Sequence, residues 1–211
     1  MSTTTAPATC TDALLVQATL PATSGAMVPD LICHVRTALQ GSPVQVRAAF
    51  NDAKNMFYAY LYLANRQTLE PSVAAQLEAD LKSEWPQLHN LRVSRLEKML
   101  DKQGASATTL PAFHYVVEMD PEAGWMHQLS EWYDTEHLPG LASVPGCVHA
   151  SRYLNHDHGP LSLACYDLVT QETLGSPAWL AVRETEWSSR VRPRFTNTIR
   201  TMFRFIDITE K

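Results

Sequence analysis

Several motifs that mark common enzyme and binding families are missing from this chain of 211 residues. It has no glycine-rich phosphate loop, no G-x-S-x-G elbow and no H-E-x-x-H, which argues against nucleotide binding, serine hydrolase chemistry and zinc protease chemistry. No stretch approaches the roughly 20 apolar residues of a membrane span. The formal net charge is −5 and no strong basic run occurs, which argues against nucleic acid or an anionic membrane surface as a partner.

Cysteine is scarce, and its four copies show neither C-x-x-C pairing nor the spacing of a disulfide framework. We therefore expect reduced thiols in a cytoplasmic protein. The opening residues, MSTTTAPATC, have no charged segment followed by an apolar one. We interpret residues 1–12 as a disordered leader and not as a signal peptide.

The pattern of apolar runs, turn residues and helix signals predicts the same order of elements twice. Residues 13–100 predict β-α-β-β-α-β, the small polar residues 101–111 predict a linker, and residues 112–211 predict β-α-β-β-α-β again. This is the ferredoxin-like order, in which helices cover one face of a four-stranded sheet and the other face must be buried. We therefore predict an α+β fold of two tandem ferredoxin-like units that pack sheet on sheet as an intrachain, pseudo-dimeric α+β barrel.

Local signals set the expected limits of the helices and of the last strand. The sequence predicts a first helix over residues 30–40 with Gly41 as its C-cap, a later helix from about 177 to 192, and a final strand over 198–208. In the strand over 147–154, strict alternation would place Cys147, His149, Ser151 and Tyr153 on one face and Val148, Ala150, Arg152 and Leu154 on the other.

One amphipathic helix carries the main candidate for chemistry. Met126, Leu129, Tyr133 and His137 share a helical stripe, and Pro139 predicts that the helix, which starts near residue 123, ends at about residue 138. A histidine at a helix C-terminus is favoured in its protonated form, whereas burial disfavours that form. We expect the two effects to balance and leave a pKa near the ordinary value of roughly 6.5, suited to proton transfer. The alternative is that His137 only caps the helix.

The second half resembles the EthD-like family of the dimeric α+β barrel superfamily over roughly residues 112–208. The first half looks like a degenerate copy without the motif. The matching segments are W-Y-D-T-E-H-L-P at 132–139, V-P-G at 144–146, S-R-Y at 151–153, A-C-Y-D-L at 164–168, S-P-A-W at 176–179, and Arg200.

This resemblance implies a small-molecule pocket between sheet and helices or in the barrel interior. We expect His137 and Tyr133 to be catalytic, and we expect the substrate to be bound by Trp132, His149, Tyr153, Arg152 and His114. The interpretation is a cofactor-free acid–base enzyme of the cyclase, isomerase or dehydratase type, acting on an apolar or aromatic oxygenated metabolite of a catabolic or secondary-metabolite pathway. The alternative is a non-catalytic EthD-like ligand-binding or accessory protein of a degradation pathway. The resemblance also leaves room for a homodimer.

Metal and cofactor sites have little support in the sequence. His156, Asp157 and His158 lie in one turn and could bind a metal, but no third ligand is fixed nearby, so we expect an exposed turn and no metal. The superfamily includes haem enzymes, but only spare histidines argue for haem here. We expect no cofactor.

Overall fold

The computed structural model describes residues 7–21, 27–37 and 44–206, which divide into two compact units. Unit 1 holds the described residues up to 97 together with 155–158 and 205–206, and unit 2 holds 98–154 and 159–204. Residues 1–6 of the predicted leader, Gly41 and the last residues of the predicted final strand lie outside the described residues.

Unit 1 has the ferredoxin-like order of elements. The elements are β1 Thr9–Thr19, α1 Met27–Thr37, β2 Val44–Asn51, β3 Met56–Leu69, α2 Pro71–Glu84 and β4 His89–Gln103. The antiparallel sheet runs β2-β3-β1-β4, and the helices bury Leu31, Val35, Leu77 and Leu81 in one apolar core.

Three limits in this half differ from those expected. Strand β1 begins at Thr9, inside the stretch interpreted as a leader, because its partner β3 continues to Leu69 and supplies hydrogen-bonding partners. Helix α1 already includes Met27. Strand β4 continues to Gln103, so the first residues of the predicted linker are extended.

Unit 2 repeats this plan. The elements are β5 Phe113–Pro121, α3 Met126–Trp132, α4 Leu138–Ala142, β6 Cys147–Asn155, β7 Ser162–Leu168, α5 Pro177–Arg183, α6 Glu186–Val191 and β8 Phe195–Phe205. The antiparallel sheet runs in the order β6-β7-β5-β8. The first helix therefore starts at Met126 and not near residue 123.

The expected end of this helix at Pro139 is wrong. A five-residue π-helical segment, Tyr133–His137, joins α3 to α4, so one helical stretch runs from Met126 to Ala142. The amide of Leu138 bonds the carbonyl of Tyr133, five residues back. This change in hydrogen-bond register immediately precedes Pro139, which then falls in the first turn of α4, where a missing N–H is tolerated.

The helix predicted over residues 177–192 consists of two short helices, α5 and α6. Ser176 caps α5 by accepting a hydrogen bond from the amide of Trp179, as expected for an N-cap serine followed by proline. Thr185 then adopts extended backbone angles and caps α6 through the amide of Ser188. The side chains between residues 183 and 186 are thereby presented at a helix junction instead of along one continuous face.

The predicted α+β class and the ferredoxin-like order of both halves are confirmed. No helix within the described ranges is long and apolar enough to cross a membrane.

Candidate functional site

A cleft in unit 2 lies between the sheet and the helices that cover it. It measures about 360 Å³ including the part open to solvent, of which about 30 Å³ admits a water molecule. Half of its twelve lining residues are aromatic: Tyr115, Trp132, Tyr133, Tyr166, Trp179 and Phe195. Four more are basic, namely His137, Arg183, Arg192 and Arg200, and the aliphatic Val117 and Leu141 complete the wall. Three of the predicted site residues, Trp132, Tyr133 and His137, therefore meet in one place.

The π segment explains how Trp132 and His137 come to face each other. Their rings stack with centroids 4.0 Å apart and planes 19° from parallel. In a regular α-helix, residues five apart point in different directions, but a π turn repeats at that spacing. Tyr133 meets the same imidazole edge-on at 5.5 Å. The packing of these two aromatic rings against His137 thus results from the change in helical register.

Glu136 fixes the indole of Trp132. The indole N–H of Trp132 donates to Oε1 of Glu136 at 3.2 Å, and the hydroxyl of Thr185 donates to the same oxygen at 2.6 Å. Thr185 is the N-cap of α6, so this carboxylate links the π segment to the α5–α6 junction. The Glu136 carboxylate, itself fixed by Thr185, therefore holds in place the indole ring on which His137 stacks.

His137 is neutral in this environment. It is 7 % exposed, and its Nδ1 is buried without a hydrogen-bond partner among the described residues. Burial lowers the pKa of His137 from its ordinary 6.5 to about 3, with further lowering by the charges of Arg192 and Arg183. The expected value near 6.5 is wrong because the helix does not end here, so no helix terminus opposes burial.

The other polar groups around the cleft are mainly hydrogen-bond donors. The indole Nε1 of Trp179 is buried and has no acceptor among the described residues. Burial raises the pKa of Tyr133, Tyr166 and Tyr115, so their hydroxyls stay protonated. A ligand rich in acceptor oxygens would complement this wall.

Arg152, a predicted substrate ligand, lies behind the cleft and not in its wall. It is fully buried, its Nη2 donates to Oγ of Ser130 at 3.1 Å, and its guanidinium sits 5.1 Å from the ring centroid of Tyr133. Asp134 approaches Nη1 at 3.7 Å, longer than a hydrogen bond. Burial lowers the pKa of Arg152. Arg152 therefore packs against Tyr133 on the side away from the cleft.

The remaining predicted ligands lie on the opposite face of the sheet. His114 alternates with Tyr115 along β5, and its Nδ1 lies 2.7 Å from Asp167 on β7. His149 Nε2 lies 2.9 Å from Asp101, and Tyr153 is buried two positions further on from Ser151. These residues do not reach the helix-side cleft.

A β-bulge alters the expected alternation in β6. The pairing register shifts between Cys147 and His149, so Cys147 joins Ala150 in the helix-side core. The prediction that Cys147 shares a face with His149 is therefore wrong. Burial, followed by the charge of Asp167, raises the pKa of the Cys147 thiol to about 12, which makes it a poor nucleophile.

Neither the turn with His156, Asp157 and His158 nor the cleft at His137 has the side-chain arrangement or the space for a metal or haem. Across the part of the chain that the structure describes, no group of three or more His, Cys, Asp or Glu side chains is arranged to hold a metal. In unit 1, His156, Asp157 and His158 pair with Glu97, Arg95 and Glu78 instead. Although His137 has an unpartnered nitrogen, the whole cleft beside it, about 360 Å³ with the part open to solvent, is too small for a porphyrin.

Sequence reasoning missed several residues of the cleft. Arg183 and Arg192 were not among the predicted site residues, and Trp179 and Arg200 were named only within the family resemblance. Arg183 follows Trp179 by four residues, so both lie on one face of α5, which is the one local signal that could have linked them.

No protein-family model and no curated protein matches this chain. Solved structures do match it over nearly their whole length. An anthrone oxidase-like protein has a TM-score of 0.63 at 12% identity, covering 92% of this chain and 91% of that one. A mutant of chlorite dismutase from Candidatus Nitrospira defluvii has a TM-score of 0.61 at 11% identity, covering 94% and 92%. An uncharacterized ferredoxin fold protein from Listeria monocytogenes, related to antibiotic biosynthesis monooxygenases, has 0.53 at 6%, covering 94% and 96%.

The chain therefore shares the fold of these structures over nearly its whole length. At identities of 6% to 12%, these likenesses establish the fold and leave the chemistry to be argued from the site.

Proposed function

We propose that unit 2 binds a small aromatic, oxygenated metabolite in the helix-side cleft and that His137 transfers a proton to or from it. The observation that carries the proposal is the unpartnered, buried imidazole of His137 in an aromatic cleft. An unpaired buried polar atom is costly, so each one in a folded protein needs a physical reason, and a catalytic role is one such reason. The EthD-like resemblance, which centres on residues 132–139, supports the same place.

Proton removal from a carbon next to a carbonyl group suits this wall. A neutral imidazole can accept the proton, and the resulting enolate oxygen needs donors. Tyr133 and Trp179 offer an O–H and an N–H at the same cleft. In a site of low dielectric constant, the imidazolium and the enolate stabilise each other as they form, which offsets the low pKa of His137 in the free protein. Cyclisation, isomerisation and dehydration can each begin with this step.

Hydrogen–deuterium exchange tests the step without knowledge of the product. Enolisable aromatic ketones such as 2-tetralone and 1-indanone are incubated with the protein in D₂O, and loss of the α-proton signal is followed by NMR. We expect the wild type to exceed the buffer rate and His137→Gln to lose roughly 10²-fold or more. The matched control is His127→Gln, an exposed histidine of the same helix, which should leave exchange unchanged.

The second candidate function is ligand binding without catalysis. The specific observation in its favour is the pKa of about 3, since so weak a base in the free protein removes protons slowly. Ketones that bind to the wild type but exchange at the buffer rate would favour this function over the enzyme.

A further inference from the structure

Three arginines converge on the cleft without any anionic partner. Arg183 ends α5, Arg192 follows α6, and Arg200 lies in β8. Within the described residues, no carboxylate approaches any of the three guanidinium groups to within 4 Å. By contrast, Arg194 in the same turn pairs with Glu122 at 3.1 Å.

The mutual repulsion of these three positively charged arginines is electrostatically unfavourable. Burial lowers the pKa of Arg192, and the charges of Arg183 and Arg200 lower it further. The charges of Arg192 and Arg183 also lower the pKa of His137. Like charges brought together at a partly buried cleft repel, so an anion placed among them gains from all three.

From this arrangement we propose that the ligand of the cleft carries a carboxylate, which Arg183, Arg192 and Arg200 bind. The inference rests on the proposed function, because it specifies the substrate as an aromatic or conjugated carboxylic acid. The planar guanidinium fork matches a carboxylate with two parallel hydrogen bonds, and the aromatic wall takes the rest of the molecule. Because Arg183 and Arg192 are only half-buried on long side chains, they can move apart to admit a ligand larger than the present space.

Ligand charge and base strength are coupled in this site. A bound carboxylate neutralises the field of Arg183 and Arg192 at His137, which removes part of the cause of its low pKa. The imidazole therefore becomes a stronger base when an acid-bearing ligand is present than when the cleft is empty. A neutral analogue of the same shape leaves the arginine charges unneutralised, so its proton exchange should be faster than in buffer but slower than that of the acid.

The test compares two acids, benzoate and 2-naphthoate, with their primary amides by isothermal titration calorimetry at low ionic strength. We expect each acid to bind roughly 10-fold or more tightly than its amide, and Arg183→Gln and Arg192→Gln each to remove most of that difference. Arg190→Gln, an exposed arginine of α6, is the matched control and should bind as the wild type does. Thermal unfolding confirms that the variants are folded.

The other outcomes separate the two proposals. Equal binding of acid and amide would overturn the carboxylate inference and leave the aromatic cleft as a ligand site. Tighter acid binding that survives both substitutions would overturn it as well, because the charge would then be recognised elsewhere. If neither acids nor amides bind at millimolar concentration, the proposed cleft fails and the inference fails with it.

Discussion

His137 connects protonation to the stability of the fold. Its pKa is about 3 in the folded protein and near the ordinary 6.5 in the unfolded chain, so the unfolded state binds more protons between these values. The contribution of the neutral imidazole to stability is therefore complete above pH 6.5 and is lost as the pH falls toward 3. Its origin is burial against Trp132, reinforced by Arg192 and Arg183.

This linkage predicts a change in pH dependence on substitution. Between pH 7.5 and pH 4, the wild type should lose about 3 kcal/mol more unfolding free energy than His137→Gln, as 1.36 kcal/mol accrues per pH unit below 6.5. Urea unfolding at a series of pH values measures it. His127→Gln should keep the wild-type slope, since that side chain is exposed. Parallel curves for wild type and His137→Gln would mean that the imidazole takes up its proton at the same pH in the folded protein as in the unfolded chain, so its pKa is not lowered by folding.

At the scale of elements, the helical stretch from Met126 to Ala142 depends on the carboxylate of Glu136. Glu136→Ala would leave the indole N–H of Trp132, which is fully buried, without an acceptor and would free the hydroxyl of Thr185. We expect a loss of about 1–3 kcal/mol in unfolding free energy and a weaker near-UV circular dichroism signal. Glu136→Gln keeps a carbonyl acceptor and should restore most of both.

The matched control for this element is Glu131→Ala, an exposed carboxylate on the same helix, expected to change stability by less than about 0.5 kcal/mol. If Glu136→Ala unfolds at the wild-type urea concentration with an unchanged spectrum, the carboxylate does not hold the indole in solution.

What the sequence could predict in this element follows from its periodicity. Leu129, Tyr133 and His137 are four residues apart, and this spacing places them on one face whether or not the helix changes register. The π segment itself leaves no local signal in the sequence, and the hydrogen bond between Glu136 and Thr185 that accompanies it joins residues 49 positions apart. Pro139 predicted a helix end because a proline inside a regular helix removes a backbone hydrogen bond. Its actual effect depends on the change in hydrogen-bond register just before it, which the sequence does not reveal.

The arginines illustrate the other limit of prediction. Arg183, Arg192 and Arg200 belong to three different elements, and only the fold brings them to one cleft. Strict alternation along one regular strand suffices to place Tyr115 and His114 on opposite faces of β5. In β6 the same reasoning failed at Cys147, where the bulge adds a residue.

At the scale of the whole molecule, each ferredoxin-like unit has helices on one face of its sheet. The packing of the two halves as an intrachain barrel stays a prediction, which a fragment of unit 2 can test. The fragment should begin at Lys98, because the segment after β4 bonds to unit 2 through the amides of Gly104 and Ser106. We expect residues 98–211 to form a homodimer by size-exclusion chromatography with light scattering, whereas the full chain supplies its own second half. A folded, monomeric fragment at high concentration would contradict the internal barrel.

The π segment also affects how this chain should be aligned with others. A π turn arises when a single residue is inserted into an α-helix, so a relative with a regular helix here would need a one-residue gap between Trp132 and Leu138. Without that gap, the positions after it would be compared out of phase by about 100° around the helix axis. With that gap in place, the π turn has absorbed the extra residue, so His137 and the positions after it keep the orientation that a regular helix one residue shorter would give them.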